Sequence, residues 1–96
     1  MAEFGVHGVE HDKGTTIVIG RCYKDTLAVG DTFQLVTLLE PQGGEAKSHA
    51  VNLTIQRMVA YGREMEQIDE GLTAQLRLAG EGGERVIPQS VLHTMK

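Results

Sequence analysis

The segment Leu72-Thr73-Ala74-Gln75-Leu76-Arg77-Leu78 alternates apolar and polar residues without a fault. A period of two places every second side chain on one face of a pleated strand, so this stretch fits a strand half-buried against a core. The same period recurs along the chain. Val51, Leu53 and Ile55 alternate with Asn52, Thr54 and Gln56, and residues 49–61 read as one strand. Thr15-Thr16-Ile17-Val18-Ile19 is β-branched throughout, which stiffens χ1 and suits a pleated surface. Phe4, Val6 and Gly8 are placed on one face of a first strand. From Thr32 to Leu39 the alternation predicts Phe33, Leu35 and Thr37 on one face, with Val36 and Leu38 on the other. Val91 and Leu92 start a short last strand after Pro88, which cannot donate to a central ladder and so marks an edge or a strand end.

Turn signals separate these runs. Lys24-Asp25-Thr26 and Val29-Gly30-Asp31 are predicted turns, with Gly30 free to take a positive φ. Glu40-Pro41-Gln42-Gly43-Gly44-Glu45 reads as a surface loop, and Gly80-Glu81-Gly82-Gly83-Glu84 as a flexible turn. The polar, acidic stretch from Gly62 to Gly71 has room for one helical turn at most. Six or seven short strands with no amphipathic helix predict an all-β sandwich or small barrel. A barrel leaves no free sheet edges to aggregate.

Ninety-six residues fit a single domain spanning 1–96. With two Phe, two Tyr and no Trp, Val, Ile and Leu must build the core. Twelve Gly, spread without a period, suit frequent turns. One cysteine, Cys22, excludes an intrachain disulfide and fits a reducing, cytoplasmic setting. The N-terminus has neither the basic start nor the apolar run of a signal peptide. No run approaches the roughly 18–20 apolar residues that span a bilayer, so no membrane partner is expected. The formal net charge is −4, and neither half is basic: residues 1–48 hold four basic and seven acidic side chains, residues 49–96 five and six. That balance argues against autonomous nucleic-acid binding.

One pattern is more specific. Lys13-Gly14-Thr15-Thr16-Ile17-Val18-Ile19-Gly20-Arg21-Cys22, then Val29-Gly30-Asp31 before an apolar strand, then Asp69-Glu70-Gly71 before Thr73 to Leu78, and finally Val86-Ile87-Pro88-Gln89-Ser90-Val91-Leu92 resemble successive segments of the β-barrel that follows the GTPase domain in translation factors of the elongation factor Tu class. The resemblance spans about residues 6–95. It implies a small closed antiparallel Greek-key β-barrel of about six strands, with Gly14, Gly20, Gly30, Asp31 and Gly71 as its structural signature. The run between Gly14 and Gly20 is one residue longer than is usual, Ser90 stands where Gly is common, and the loop at 40–48 is expanded. No Gly-x-x-x-x-Gly-Lys-Ser/Thr phosphate loop occurs, so there is no GTP site in this chain. In the family the barrel packs on the GTPase domain, helps to hold the aminoacyl end of transfer RNA, or touches the small ribosomal subunit. The aminoacyl pocket does not map onto Phe4 to His11.

Candidate chemistry is sparse. His7 and His11 have the i, i+4 spacing that chelates zinc on a helix, but on a strand the two lie about 13 Å apart. With His49 and His93 remote in sequence and one cysteine, no metal and no cofactor is expected. Cys22 follows Gly20-Arg21 where the family has a hydrophobe, and reads as a buried, inert thiol. Gly80-Glu81-Gly82-Gly83 is flanked by Glu81 and Glu84, whose charge opposes an anion. Glu64, Glu66, Asp69 and Glu70 form an acidic patch suited to solvent or to docking a basic partner. Lys13, Arg21, Lys24, Arg57, Arg63 and Arg77 form a basic face only if the fold gathers them. No catalytic residues are identified. The candidate binding face therefore comprises Lys13, Arg21, Lys24, Glu64, Glu66, Asp69 and Glu70. The reading is a non-enzymatic binding module that engages a protein. The alternatives are an RNA- or ribosome-contacting accessory translation factor, which net −4 opposes, and a small acidic immunity or inhibitor protein.

Overall fold

A computed structural model describes residues 2–38 and 47–94. The loop expected at 40–45 lies outside the described residues. The strands are β1 (Glu3–Asp12), β2 (Thr15–Lys24), β3 (Leu27–Ala28), β4 (Thr32–Leu38), β5 (Lys47–Ala60), β6 (Arg63–Met65), β7 (Gln67–Ile68), β8 (Thr73–Glu81) and β9 (Ser90–Thr94). Six of them close a ring in the order β4-β9-β1-β2-β8-β5, completed by pairing of β5 with β4. Every pairing is antiparallel. Strands β4, β5 and β8 form a meander, and β9 returns to lie beside β4, which is a Greek key. The fold is thus the closed six-stranded barrel that the resemblance implies, and one of the two all-β architectures, sandwich or barrel, that the alternation and the turn signals predict.

The inward row of β2 is Thr16, Val18, Gly20 and Cys22, all buried, while Ile19 and Arg21 face solvent. Opposite it, Ala74, Leu76 and Leu78 of β8 are buried. Burial of Leu53, Ile55, Leu76, Leu78, Phe4 and Phe33 supplies the bulk of the core; each such side chain removed from water stabilises the fold by about 1.5–3 kcal/mol. Gly20 is required by space. A Cβ there would lie 1.9 Å from the Gly5 carbonyl oxygen of the neighbouring strand.

Four expectations are corrected. In β4, Gln34 is an extra residue against β9, between the pairs Phe33↔Thr94 and Leu35↔His93. This bulge shifts the phase, so Val36 follows Phe33 into the core while Leu35 and Thr37 are only partly buried. In β1, His7 is extra between Val6↔Gly20 and Gly8↔Ile19. Gly8 therefore pairs with outward-facing Ile19, and Val9 rather than Gly8 packs against the core. The stretch from Gly62 to Gly71 holds no helical turn. It forms β6 on β5 and β7 on β3, since Ile68 pairs with Leu27 and both are buried at one end of the barrel. At the other end β8 runs through Glu81, and Gly83–Arg85 is a single 3-10 turn. Gly83 packs against Thr16 there, and Val86 is buried in irregular backbone rather than in a strand.

Candidate functional site

The Val29-Gly30-Asp31 motif builds a turn that also shapes a groove. Asp31 N–H donates to Ala28 O at 3.0 Å, and Ala28 N–H donates to Asp31 Oδ2 at 2.9 Å. Gly30 sits at φ 99° in the third position, where a turn of type II favours glycine. The turn is tied to β5 on both sides, by Gly30 N–H to Ile55 O and Ile55 N–H to Asp31 O, each 2.9 Å. Val29 N–H reaches Glu66 O at 2.9 Å. Val29 is thereby held outward, 44% exposed. Together with Ala28, Gln56, Glu64, Met65, Glu66 and Gln67 it lines an open groove of about 640 Å³. Its lining is mixed: Ala28, Val29 and Met65 are apolar, Gln56 and Gln67 are polar, and Glu64 and Glu66 bring two carboxylates. Glu64 also accepts from Arg57 Nε at 3.1 Å, an exposed pair of the kind worth under about 1 kcal/mol.

A second turn, Asp69 to Leu72, closes with Leu72 N–H donating to Asp69 O at 3.1 Å, and Gly71 takes φ 93°. It docks on the end of β2 through Gly71 N–H to Cys22 O at 2.8 Å and Cys22 N–H to Leu72 O at 2.9 Å. Arg21 Nε donates to Gly71 O at 3.0 Å, and Thr26 Oγ1 donates to Asp69 Oδ1 at 3.3 Å. Cys22 is fully buried beneath this turn, and its thiol donates to Asp25 O at 3.0 Å. Burial pushes the thiol pKa up, and the carboxylates of Glu70, Asp25 and Asp69 add to the rise against the lowering effect of Lys24's backbone. A thiol held protonated is a poor nucleophile.

The residues singled out in the sequence separate in space. Arg21, Lys24, Asp69, Glu70 and Gly71 meet at one end of β2. Lys13 and Gly14 form the β1–β2 hairpin at its other end, about 30 Å away along a ten-residue strand. Glu64 and Glu66 belong to the groove instead. His7 and His11 are exposed along β1. His93 Nε2 shares a hydrogen bond with Thr37 Oγ1 at 2.9 Å, and Arg85 donates to His49 Nδ1 at 3.2 Å. Among the described residues no three His, Cys, Asp or Glu side chains gather as they would around a metal ion. Nor is any helix among them long and apolar enough to cross a membrane. Sequence reasoning missed Val29 and Met65 as groove residues, although a valine beside the turn glycine was a signal for an exposed apolar side chain.

No family model and no curated protein matches this sequence. Solved structures do. The translation elongation factor SelB of Methanococcus maripaludis, in its apo form, superposes with a TM-score of 0.72 at 15% identity, covering 97% of this chain and 18% of that one. A bacterial selenocysteine-specific elongation factor, EF-Sec, gives 0.68 at 18% identity, covering 97% and 14%. This chain spans less than a fifth of either protein. At such identity the likeness is one of fold: the closed barrel described above has the fold of the β-barrel domains of these elongation factors, in a sequence that carries no phosphate loop.

Proposed function

We propose that this barrel is a non-enzymatic binding module that engages a protein partner, and that the groove between the Val29 turn and β6 is its docking surface. The observation that carries the reading is the pairing in one groove of exposed Val29 and half-buried Met65 with the carboxylates of Glu64 and Glu66. Apolar side chains set beside two carboxylates suit a segment that presents an apolar anchor flanked by Lys or Arg. The net charge of −4 supports a protein over a polyphosphate chain, whose affinity depends on Lys and Arg contacts. The fold shared with elongation factors supports a setting in translation, where such a barrel would serve as an adaptor rather than a catalyst.

The test is capture from the protein's own host, comparing wild type with Val29→Asp and Glu66→Lys. Both positions are exposed at the groove, so both variants should fold. One protein should be retained by wild type, weakened at least tenfold by each variant, and weakened by salt. The wild-type protein should pass through immobilised heparin and bulk RNA unretained at physiological salt. Salt-sensitive retention on RNA, or a partner indifferent to both substitutions, would overturn the proposal.

A further inference from the structure

The outer face of β2, β8 and β5 carries a feature that the barrel does not need. Arg57 of β5 and Arg77 of β8 are directly opposed in the ladder. Like charges so placed destabilise a sheet. Glu64 offsets Arg57 at 3.1 Å, but among the described residues Arg77 has no ion pair or hydrogen bond. Beside Arg77 on β2 is Ile17, and one step along the same outward row Ile19 is 48% exposed. Ile19 stands between Gln75 on β8 and Gly8 on β1. Gly8 adds no side chain to cover it, and a Cβ at that position would meet nothing within 4 Å. Val59, opposite Gln75 on β5, extends the apolar strip. Ile17, Arg57, Val59, Gln75 and Arg77 enclose a shallow hollow of about 50 Å³, space for one small group such as a carboxylate.

We infer that this face is a second docking surface, of opposite polarity to the groove, and that it takes an acidic, apolar-interleaved segment of a protein. The inference rests on the reading of the barrel as a protein-binding module. Charge complementarity selects the occupant: guanidinium groups receive carboxylates in bidentate fashion, and the strip Ile17, Ile19, Val59 receives the apolar residues between them. An extended peptide repeats its side chains every two residues, as this face does. A nucleic acid fits less well, since aliphatic Ile and Val offer no stacking platform; Glu10, next to Ile17 on β1, repels phosphate and carboxylate alike and keeps the segment's acidic residues to the Arg57–Arg77 side of the face.

The test uses the full ¹⁵N-labelled chain and a synthetic octapeptide alternating Glu and Leu. Its amides at Ile17, Ile19, Arg57, Val59, Gln75 and Arg77 should shift in saturable fashion. The isosteric Gln-Leu peptide should give no saturable shift. R77Q should weaken the Glu-Leu peptide at least tenfold, and I19S by several-fold, while each variant keeps the wild-type spectrum elsewhere. Absence of saturation, shifts confined to other surfaces, or equal binding by R77Q would overturn the inference. So would a uridine octamer that saturates the same amides more tightly. Capture through the groove, scored with Val29→Asp, reads the other surface; a partner held equally well by Val29→Asp would sink the protein-binding reading, whereas failure of the Glu-Leu peptide alone would sink only this one.

Discussion

Glycine acts in two different ways in this barrel, and the two differ in cost. At Gly20 the conformation is ordinary but space is absent: the neighbouring Gly5 carbonyl would stand 1.9 Å from any Cβ. Backbone cannot step aside as a flexible side chain can. At Gly30 space is open, with nothing within 4 Å of a Cβ, yet φ is 99°. There the cost of a side chain is the left-handed backbone alone. Gly20→Ala should therefore destabilise the fold by about 3 kcal/mol, the upper range for overpacking, and Gly30→Ala by only about 1–2 kcal/mol. Urea unfolding of the two variants checks this order. Equal losses would mean that β1 and β2 do not approach as closely as described. Gly5 illustrates the reverse arrangement, since the ring of Tyr23 lies over it and covers the bare backbone.

At the scale of the element, the turns carry conformational tension that glycine or asparagine would release. Ile87-Pro88-Gln89-Ser90 closes with Ser90 N–H donating to Ile87 O at 3.2 Å, and Gln89 in the third position takes φ 71°. Gln89 N–H also donates to Val6 O at 2.7 Å, so the turn cannot relax freely. The β1–β2 hairpin has two loop residues, Lys13 at φ 46° and Gly14 at φ 82°, the signs of a type I′ turn, which favours Asn-Gly. Gln89→Gly and Lys13→Asn should each stabilise the barrel by about 0.5–1 kcal/mol, seen as raised urea midpoints with unchanged slopes. A fall in both midpoints would mean the left-handed assignments are wrong. The strands themselves were legible where alternation runs unbroken, as in β8, or where β-branched residues run together, as in β2. They were not where a bulge resets the phase: nothing near Gln34 or His7 announces an extra residue, because the bulge answers to curvature imposed by distant partners. The candidate site followed the same rule. Val29-Gly30-Asp31 and Asp69-Glu70-Gly71 could be found as turns from local chemistry. That Lys13 and Lys24 lie at opposite ends of a strand and that Arg57 faces Arg77 depend on register, which one sequence does not display.

For the whole molecule, closure rests on β9. It pairs with β1 through Glu3↔His93, Phe4↔Leu92 and Gly5↔Val91, and with β4 from Phe33 to Leu38. Ala2 and Thr94 add a clasp, with Ala2 N–H donating to Thr94 Oγ1 at 2.8 Å and Thr94 N–H to Ala2 O at 3.0 Å. Removing residues 90–96 would bare the facing edges of β1 and β4 at once and expose Phe4 and Phe33. The shortened chain should lose its cooperative thermal transition and aggregate, as judged by calorimetry and light scattering. A sharp transition in the truncated chain would show that the remaining five strands suffice.

A ring whose final stave is supplied by residues 90–94 also sets a clock on biosynthesis. While the ribosome is still adding Ser90, the segments already synthesised possess every other wall but no way to shut. Maturation must wait until Thr94 has cleared the exit tunnel and met Ala2, so a stalled or shortened nascent chain leaves a gaping half-cylinder, an obvious client for chaperones.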